Sequence, residues 1–189
     1  MAEQTATPGI ALLKPVVMVG MMGAGKTAVG RAVAARLGVP FVDSDHEIEA
    51  AANMTVAEIF ARDGEAFFRD REAEVIARLL SGPPKVLSTG GGAFLRAENR
   101  AAIARRGVSV WLDADLDLLW MRVRQKPTRP LLKTADPYGT LRDLLSSRAS
   151  VYARADLVVR AEPRYSVDDT ARRVIDTLAT RPDVLKGSP

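Results

Sequence analysis

The sequence predicts an α/β fold in which helices cover both faces of a parallel sheet. Five short apolar runs of the buried-strand type alternate with longer segments whose apolar residues recur at helical spacing. This alternation is typical of parallel strands joined by helical crossovers, which produce a three-layer α/β/α arrangement. The length of 189 residues fits one domain of this kind.

The predicted elements follow one another along most of the chain. Strands are expected at residues 16–19, 41–43, 86–88, 108–112 and 157–159. Helices are expected at residues 28–37, 65–80, 96–106, 115–124, 140–155 and 166–179. Thr55 and Glu58 form a capping box, which starts a further helix. We expect a single domain over residues 15–180, a flexible leader at 1–14 and a frayed tail at 181–189.

Composition excludes several classes of function. The chain has no cysteine, which excludes disulfides, thiol catalysis and cysteine-ligated zinc. Its 27 Lys and Arg residues are interspersed with 23 Asp and Glu residues, so small anionic ligands are favoured over nucleic acid. No apolar run approaches the ~20 residues needed to cross a bilayer, and the N-terminus lacks the pattern of a secretion signal. We therefore expect a cytoplasmic protein with no nucleic-acid or membrane partner.

A phosphate-binding motif occupies residues 20–27. The segment reads G-M-M-G-A-G-K-T and matches G-x-x-x-x-G-K-[ST] between a predicted strand and a predicted helix. In such a loop the backbone N–H groups surround phosphate oxygens, Lys26 adds a positive charge, and the Thr27 hydroxyl is placed to ligate Mg²⁺. The alternative is a glycine-rich turn that binds nothing. Motif and context together predict a nucleoside triphosphate site.

Two carboxylates leave the second predicted strand at Asp43 and Asp45. In an open α/β sheet this end of the strand faces the same crevice as the phosphate-binding loop. One carboxylate is therefore a candidate metal ligand, and the other a candidate to bind or deprotonate an acceptor hydroxyl. The alternative is that either one only caps the helix that begins near Glu47. His46, the single histidine, is interpreted as a helix-start residue rather than a base.

Three further segments carry candidate binding residues. Arg69 has the planar fork that clasps a carboxylate, although Glu65 and Glu72 lie at the spacing of intrahelical salt bridges. The Gly90-Gly91-Gly92 segment allows the backbone to approach a ligand closely, or is simply a flexible turn. Residues 124–138 form a long proline-rich segment around Arg129, which is either a functional lid or a surface loop.

These segments together resemble the shikimate kinase family of P-loop proteins. The resemblance rests on residues 20–27, 41–45 with 48–49, 59–60 and 64–69 with Glu72, 89–92, 129–132, and Arg148 with Tyr152, and it runs from about residue 15 to about 178. It implies a five-stranded parallel sheet in the order 2-3-1-4-5 with a mobile lid at about 124–138. It also implies ATP-dependent phosphorylation of the 3-hydroxyl of shikimate, in the pathway to aromatic amino acids.

The resemblance implies a role for each matching residue. ATP, bound with Mg²⁺, would contact Gly23, Ala24, Gly25, Lys26, Thr27, Ala28, Arg122 and Arg129, with Arg122 against the adenine and Arg129 on the transferring phosphate. Thr27 and Asp43 would hold the metal. Shikimate would contact Asp45, Arg69, Gly91, Gly92 and Arg148. Lys26, Asp45 and Arg129 would be catalytic, with Asp45 as the candidate base. We expect a monomer.

Two other functions are compatible with the phosphate-binding loop. One is a related kinase with a different acceptor, such as gluconate or a nucleoside monophosphate. The other is a nucleotide-binding switch without an acceptor, for which the Arg69 and Arg148 pair would have no use. Release of ADP in the presence of different acceptors distinguishes these functions.

Overall fold

A computed structural model describes residues 9–126 and 130–187. The strands are β1 (Ala11–Leu12), β2 (Val16–Val19), β3 (Phe41–Asp43), β4 (Val86–Ser88), β5 (Val108–Asp113), β6 (Leu157–Arg160) and β7 (Leu185–Lys186). Five of them form a parallel sheet in the order β3-β4-β2-β5-β6. Counted along the chain among these five, the order is 2-3-1-4-5, which confirms the prediction.

Seven α-helices accompany the sheet in the described ranges. They are α1 (Lys26–Leu37), α2 (Ser44–Ala52), α3 (Val56–Leu80), α4 (Ala97–Arg106), α5 (Leu116–Val123), α6 (Pro137–Tyr152) and α7 (Val167–Leu178). Every side chain of the central strand β2 is buried. Successive side chains of a strand point to opposite faces, so both faces of the sheet are covered. The three-layer α/β/α prediction is therefore confirmed.

Helix α3 begins earlier than the periodicity predicted, because two helices join at a kink. The expected helix at 65–80 is its second part, and the capping box of Thr55 and Glu58 starts the first part. Gly64 lies between them with a φ of 85° and a ψ of 169°, a conformation that glycine adopts without steric penalty. A small apolar cluster of Ile48, Ile59 and Phe68 packs α2 against α3. This cluster fixes the helical turn that carries Arg69.

The two ends of the described chain pair with each other. Strand β1 is antiparallel to β7, with Leu12 opposite Leu185, and both leucines are buried. These paired strands lie within the stretches predicted as a flexible leader (1–14) and a frayed tail (181–189). Two-residue strands at opposite ends of a sequence have no periodicity from which to predict them, and the apolar packing of their leucines is what orders them.

Among residues 9–126 and 130–187, no helix combines the length and the apolar character that crossing a membrane requires.

Candidate active site

The phosphate-binding loop connects β2 to α1 and wraps around the amine of Lys26. The Lys26 Nζ donates to the backbone oxygens of Gly20 and Met21, each at 2.9 Å. Gly23 has a φ of 81°, and a Cβ placed there would lie 2.6 Å from Val123 Cγ1. Helix α1 begins at Lys26 and has no acidic residue in its first turn. The positive end of the helix therefore faces the loop with no carboxylate from its own first turn to compete for it.

Three oxygen-bearing side chains meet at the beginning of α1. The Thr27 hydroxyl donates to Asp43 Oδ2 at 3.1 Å, and it lies 3.3 Å from the Ser88 hydroxyl at the end of β4. Ser88 was not predicted as part of the site, because the candidate metal ligands taken from the sequence were Thr27 of the phosphate-binding motif and a carboxylate. Hydroxyl and carboxylate oxygens are the ligand atoms that Mg²⁺ prefers. The arrangement fits this ion.

Asp43 both caps a helix and faces Thr27. Its Oδ1 accepts from the backbone N–H groups of Asp45 and His46, at 3.0 and 3.3 Å, and so caps α2. Its Oδ2 accepts from Thr27. The cap posed as an alternative by the sequence is therefore present, and it leaves the second carboxylate oxygen directed towards Thr27. His46 lies in the first turn of α2, as predicted.

Asp45 lies against the glycine triplet in an environment that disfavours its charge. A Cβ on Gly90 would lie 3.0 and 3.1 Å from the two Asp45 carboxylate oxygens. Burial, and then the nearby charge of Asp43, raise the pKa of Asp45 to about 6, although Lys26 and Arg69 oppose the shift. Its Oδ1 is buried without a hydrogen-bond partner among the described residues. This oxygen can accept a hydrogen bond from a ligand hydroxyl.

Arg69 is paired within its helix and also touches the glycine triplet. Its Nη1 lies 2.8 Å from Oε2 of the fully buried Glu72, and its Nη2 lies 3.4 Å from Glu65 Oε1. A Cβ on Gly92 would lie 2.7 Å from Arg69 Cζ. The salt bridges predicted as the alternative are present. A guanidinium has five N–H donors, so these bonds do not exhaust its capacity to bind an anion.

Arg148 reaches the middle residue of the same triplet from α6. A Cβ on Gly91 would lie 3.6 Å from Arg148 Nη1 and 3.6 Å from the backbone nitrogen of Met22 in the phosphate-binding loop. The three consecutive glycines thus border Asp45, Arg148 and Arg69 in turn. The structure brings one carboxylate and two guanidinium groups together beside the phosphate-binding loop.

A cavity of about 750 Å³ extends from this point along the loop. It is lined by the predicted residues Gly23, Ala24, Gly25, Lys26, Thr27, Ala28, Asp43, Asp45, Gly91 and Arg122. Arg122 also donates to the backbone oxygens of Gly23 and Ala24, at 3.2 and 3.1 Å, and burial lowers its pKa. Arg122 therefore joins α5 to the phosphate-binding loop at the wall of the cavity.

Seven further residues line the cavity and received no individual role from the sequence, although the first two lie in the predicted lid at 124–138. They are Gln125, Lys126, Ala161, Tyr165, Ser166, Val167 and Thr170. The Tyr165 ring lies 4.0 Å from the guanidinium carbon of Arg173, measured to the ring centroid. A lone aromatic residue in a loop gives no signal in the sequence. Arg129 and part of the predicted lid at 124–138 lie outside the described residues.

Comparison with known proteins decides the family. A family model described as shikimate kinase matches residues 22–179. The chain belongs to the shikimate kinase family. A shikimate kinase of Ruegeria pomeroyi is 66% identical over 176 residues, which cover 93% of this chain and 90% of that protein. A shikimate kinase of Cereibacter sphaeroides is 65% identical over 175 residues, which cover 93% and 87%. The resemblance stated from the sequence is therefore confirmed.

Solved structures of shikimate kinases share the fold. A shikimate kinase from Acinetobacter baumannii, in complex with shikimate, superposes with a TM-score of 0.84 at 39% identity. The match covers 89% of this chain and 94% of that one. A gluconokinase from Sinorhizobium meliloti matches with a TM-score of 0.57 at 18% identity over 90% and 94% of the two chains. That second likeness concerns the fold alone.

Proposed function

We propose that this chain transfers the γ-phosphoryl group of ATP to the 3-hydroxyl of shikimate, giving shikimate 3-phosphate and ADP in the pathway to chorismate and aromatic amino acids. One observation carries the proposal: three consecutive glycines border Asp45, Arg148 and Arg69 directly beside the phosphate-binding loop. A small acid with several hydroxyl groups needs a cationic clasp for its carboxylate and an acceptor for its hydroxyls. This cluster supplies both.

The nucleotide is held by residues 23–28 and Arg122. The positive end of α1 and the loop amides receive the phosphates, and the Lys26 amine turns from the backbone oxygens of Gly20 and Met21 towards the β- and γ-phosphates. The rest of the cavity, from Arg122 to Tyr165, receives the nucleoside.

Thr27 and Asp43 would hold Mg²⁺, with phosphate oxygens of the nucleotide as further ligands. Among the described residues no cluster of three or more His, Cys, Asp or Glu side chains could hold a metal ion. This fits an ion that keeps only one or two protein ligands and takes the others from phosphates and water. When bound, Mg²⁺ neutralises charge that develops on the β- and γ-phosphates.

Shikimate lies against the glycine triplet. Arg69 and Arg148 bind its carboxylate, and Gly91 and Gly92 contribute backbone contacts. Asp45 accepts a hydrogen bond from the 3-hydroxyl and takes its proton as that oxygen attacks the γ-phosphorus. The bond from the γ-phosphorus to the β–γ bridging oxygen breaks in the same transfer, and ADP leaves with that oxygen. A pKa raised to about 6 brings the base closer to the working pH, which favours proton transfer. Positioning and charge neutralisation supply most of the rate in this type of reaction.

The proposal is tested by ADP release from ATP and Mg²⁺ with each of three acceptors: shikimate, gluconate and a nucleoside monophosphate. We expect stimulation by shikimate alone. A Lys26→Met variant serves as the control for contaminating kinases, because it retains a long side chain and lacks the amine. Stimulation by gluconate or the nucleoside monophosphate instead would overturn the assignment of shikimate as the acceptor. Slow ADP release with no response to any acceptor would indicate a nucleotide switch. The monomeric state and the cytoplasmic location remain predictions.

A further inference from the structure

Tyr152 is a fully buried tyrosine whose hydroxyl joins separate parts of the active site. It lies at the end of α6, one turn after Arg148, and none of its surface is exposed. Its hydroxyl donates to the backbone oxygen of Gly91 at 2.5 Å and lies 3.8 Å from Met21 Sδ in the phosphate-binding loop. Its ring centroid is 6.1 Å from that of Trp111 on β5. One side chain thus contacts the glycine triplet, the phosphate-binding loop and the sheet.

The hydrogen bond to the Gly91 carbonyl oxygen fixes the orientation of the whole Gly91–Gly92 peptide unit. The carbonyl of Gly91 and the N–H of Gly92 belong to the same peptide unit, which is planar. Holding the Gly91 oxygen therefore sets the direction in which the Gly92 N–H points. Glycine has an unusually flexible backbone, so a segment of three glycines needs an external bond to hold one orientation. Tyr152 supplies that bond.

The Tyr152 hydroxyl also interacts with Arg148, one of the two arginines proposed to bind the carboxylate of the acceptor. Burial raises the pKa of Tyr152, whereas the Arg148 guanidinium, by its charge and by a hydrogen bond, lowers it. The same guanidinium lies beside Gly91. A single phenol oxygen therefore connects Arg148 with the peptide that precedes Gly92.

We propose that Tyr152 is a positioning residue for the acceptor, which orients the Gly91–Gly92 peptide and Arg148 relative to the phosphate-binding loop. This inference rests on the proposed function of the site. Tyr152 has no direct contact with the reacting atoms in this role. Its effect falls on the binding of the acceptor and leaves the binding of ATP unchanged.

The test is the Tyr152→Phe variant, which keeps the buried ring and removes only the hydroxyl. The matched control is Ser109→Ala, which removes a buried hydroxyl bonded to Asp156 near the opposite end of the sheet. An unsatisfied buried carbonyl is costly, so the KM for shikimate should rise at least about fivefold in Tyr152→Phe. The KM for ATP should stay within about twofold, and the control should change neither KM. An unchanged KM for shikimate, or equal rises in both constants, would overturn the inference.

A second measurement separates this inference from the proposed function. Hydrogen–deuterium exchange of a peptide spanning residues 89–95 should be faster in Tyr152→Phe than in the unchanged chain, and not faster in Ser109→Ala. This readout needs no turnover. If the unchanged chain shows no shikimate-dependent ADP release, the proposed function fails while the exchange experiment still decides whether Tyr152 orders the glycine triplet. Equal exchange in the two chains would overturn the positioning role.

Discussion

Asp45→Asn removes a carboxylate whose charge is unfavourable where it lies, so the variant should be more stable than the unchanged chain at neutral pH. Burial and the charge of Asp43 raise the pKa of Asp45 from its ordinary value of 3.8 to about 6. Each unit of such a shift corresponds to about 1.4 kcal/mol. Full ionisation at pH 8 therefore costs the folded state about 2–3 kcal/mol, which the variant avoids. In a domain of this size, that gain raises the Tm by at least about 4 °C.

The gain has a defined dependence on pH. Between pH 3.8 and about 6 the folded state binds the proton of Asp45 more tightly than the unfolded state does, so the stability of the unchanged chain falls as the pH rises through this window. The Asn variant lacks this contribution. The difference in Tm between the two proteins should be near zero at pH 4, grow up to pH 6, and stay constant above pH 7.

Thermal unfolding between pH 4 and 8, without Mg²⁺ or nucleotide, measures this difference. Asp143→Asn is the matched control, because the Asp143 side chain on α6 is 72% exposed and its ion pair contributes little. A difference in Tm that is independent of pH, or one that the control reproduces, would refute the reasoning.

Asp45→Asn should also lose most of its shikimate-dependent turnover, because an amide cannot accept the proton.

Three further substitutions probe other parts of the molecule. Arg69→Lys removes the bidentate fork and should raise the KM for shikimate roughly tenfold with an unchanged KM for ATP. Initial rates measure both constants, and Arg105→Lys on α4 is the control. An unchanged KM for shikimate would mean that Arg69 serves only its salt bridges. Gly92→Ala should raise the KM for shikimate at least about fivefold, because the new methyl group displaces the Arg69 guanidinium. Gly92 has a φ of −88°, which alanine also adopts, so the Tm should change little. A large loss of Tm would contradict this explanation. Leu185→Ala removes a side chain that is 2% exposed and should cost about 2–4 kcal/mol in thermal or denaturant unfolding; an unchanged Tm would show that the terminal strand pair contributes nothing to stability.

The elements of the central sheet were predictable because their signals are local. The strands of the sheet are short segments rich in apolar residues, and β2, β3 and β4 occur at the predicted residues. The phosphate-binding loop is also local, since eight consecutive residues carry the motif and its context. The strand order came from the family resemblance and not from periodicity. Pairing between distant strands leaves no trace in a single sequence, which is also why β1 and β7 were missed.

The parts of the site that the sequence could not assign depend on contacts between distant segments. Tyr165 and Ser166 line the cavity because the segment before α7 folds back beside the phosphate-binding loop. Ser88 approaches Thr27 because β4 lies next to β2 in the sheet. No spacing rule connects residues that are 61 positions apart. Only the fold brings these side chains together.

The sequence posed structural and ligand-binding roles as alternatives for two residues, and the geometry of both is compatible with the two roles together. Asp43 uses one oxygen to cap α2 and directs the other towards Thr27, and Arg69 is held by Glu72 while it touches the glycine triplet. In both cases the structural bond fixes the orientation of the group that would meet the ligand. A side chain fixed in this way loses less conformational entropy when the ligand binds. The caps and salt bridges of this site are therefore part of what prepares it to bind two substrates.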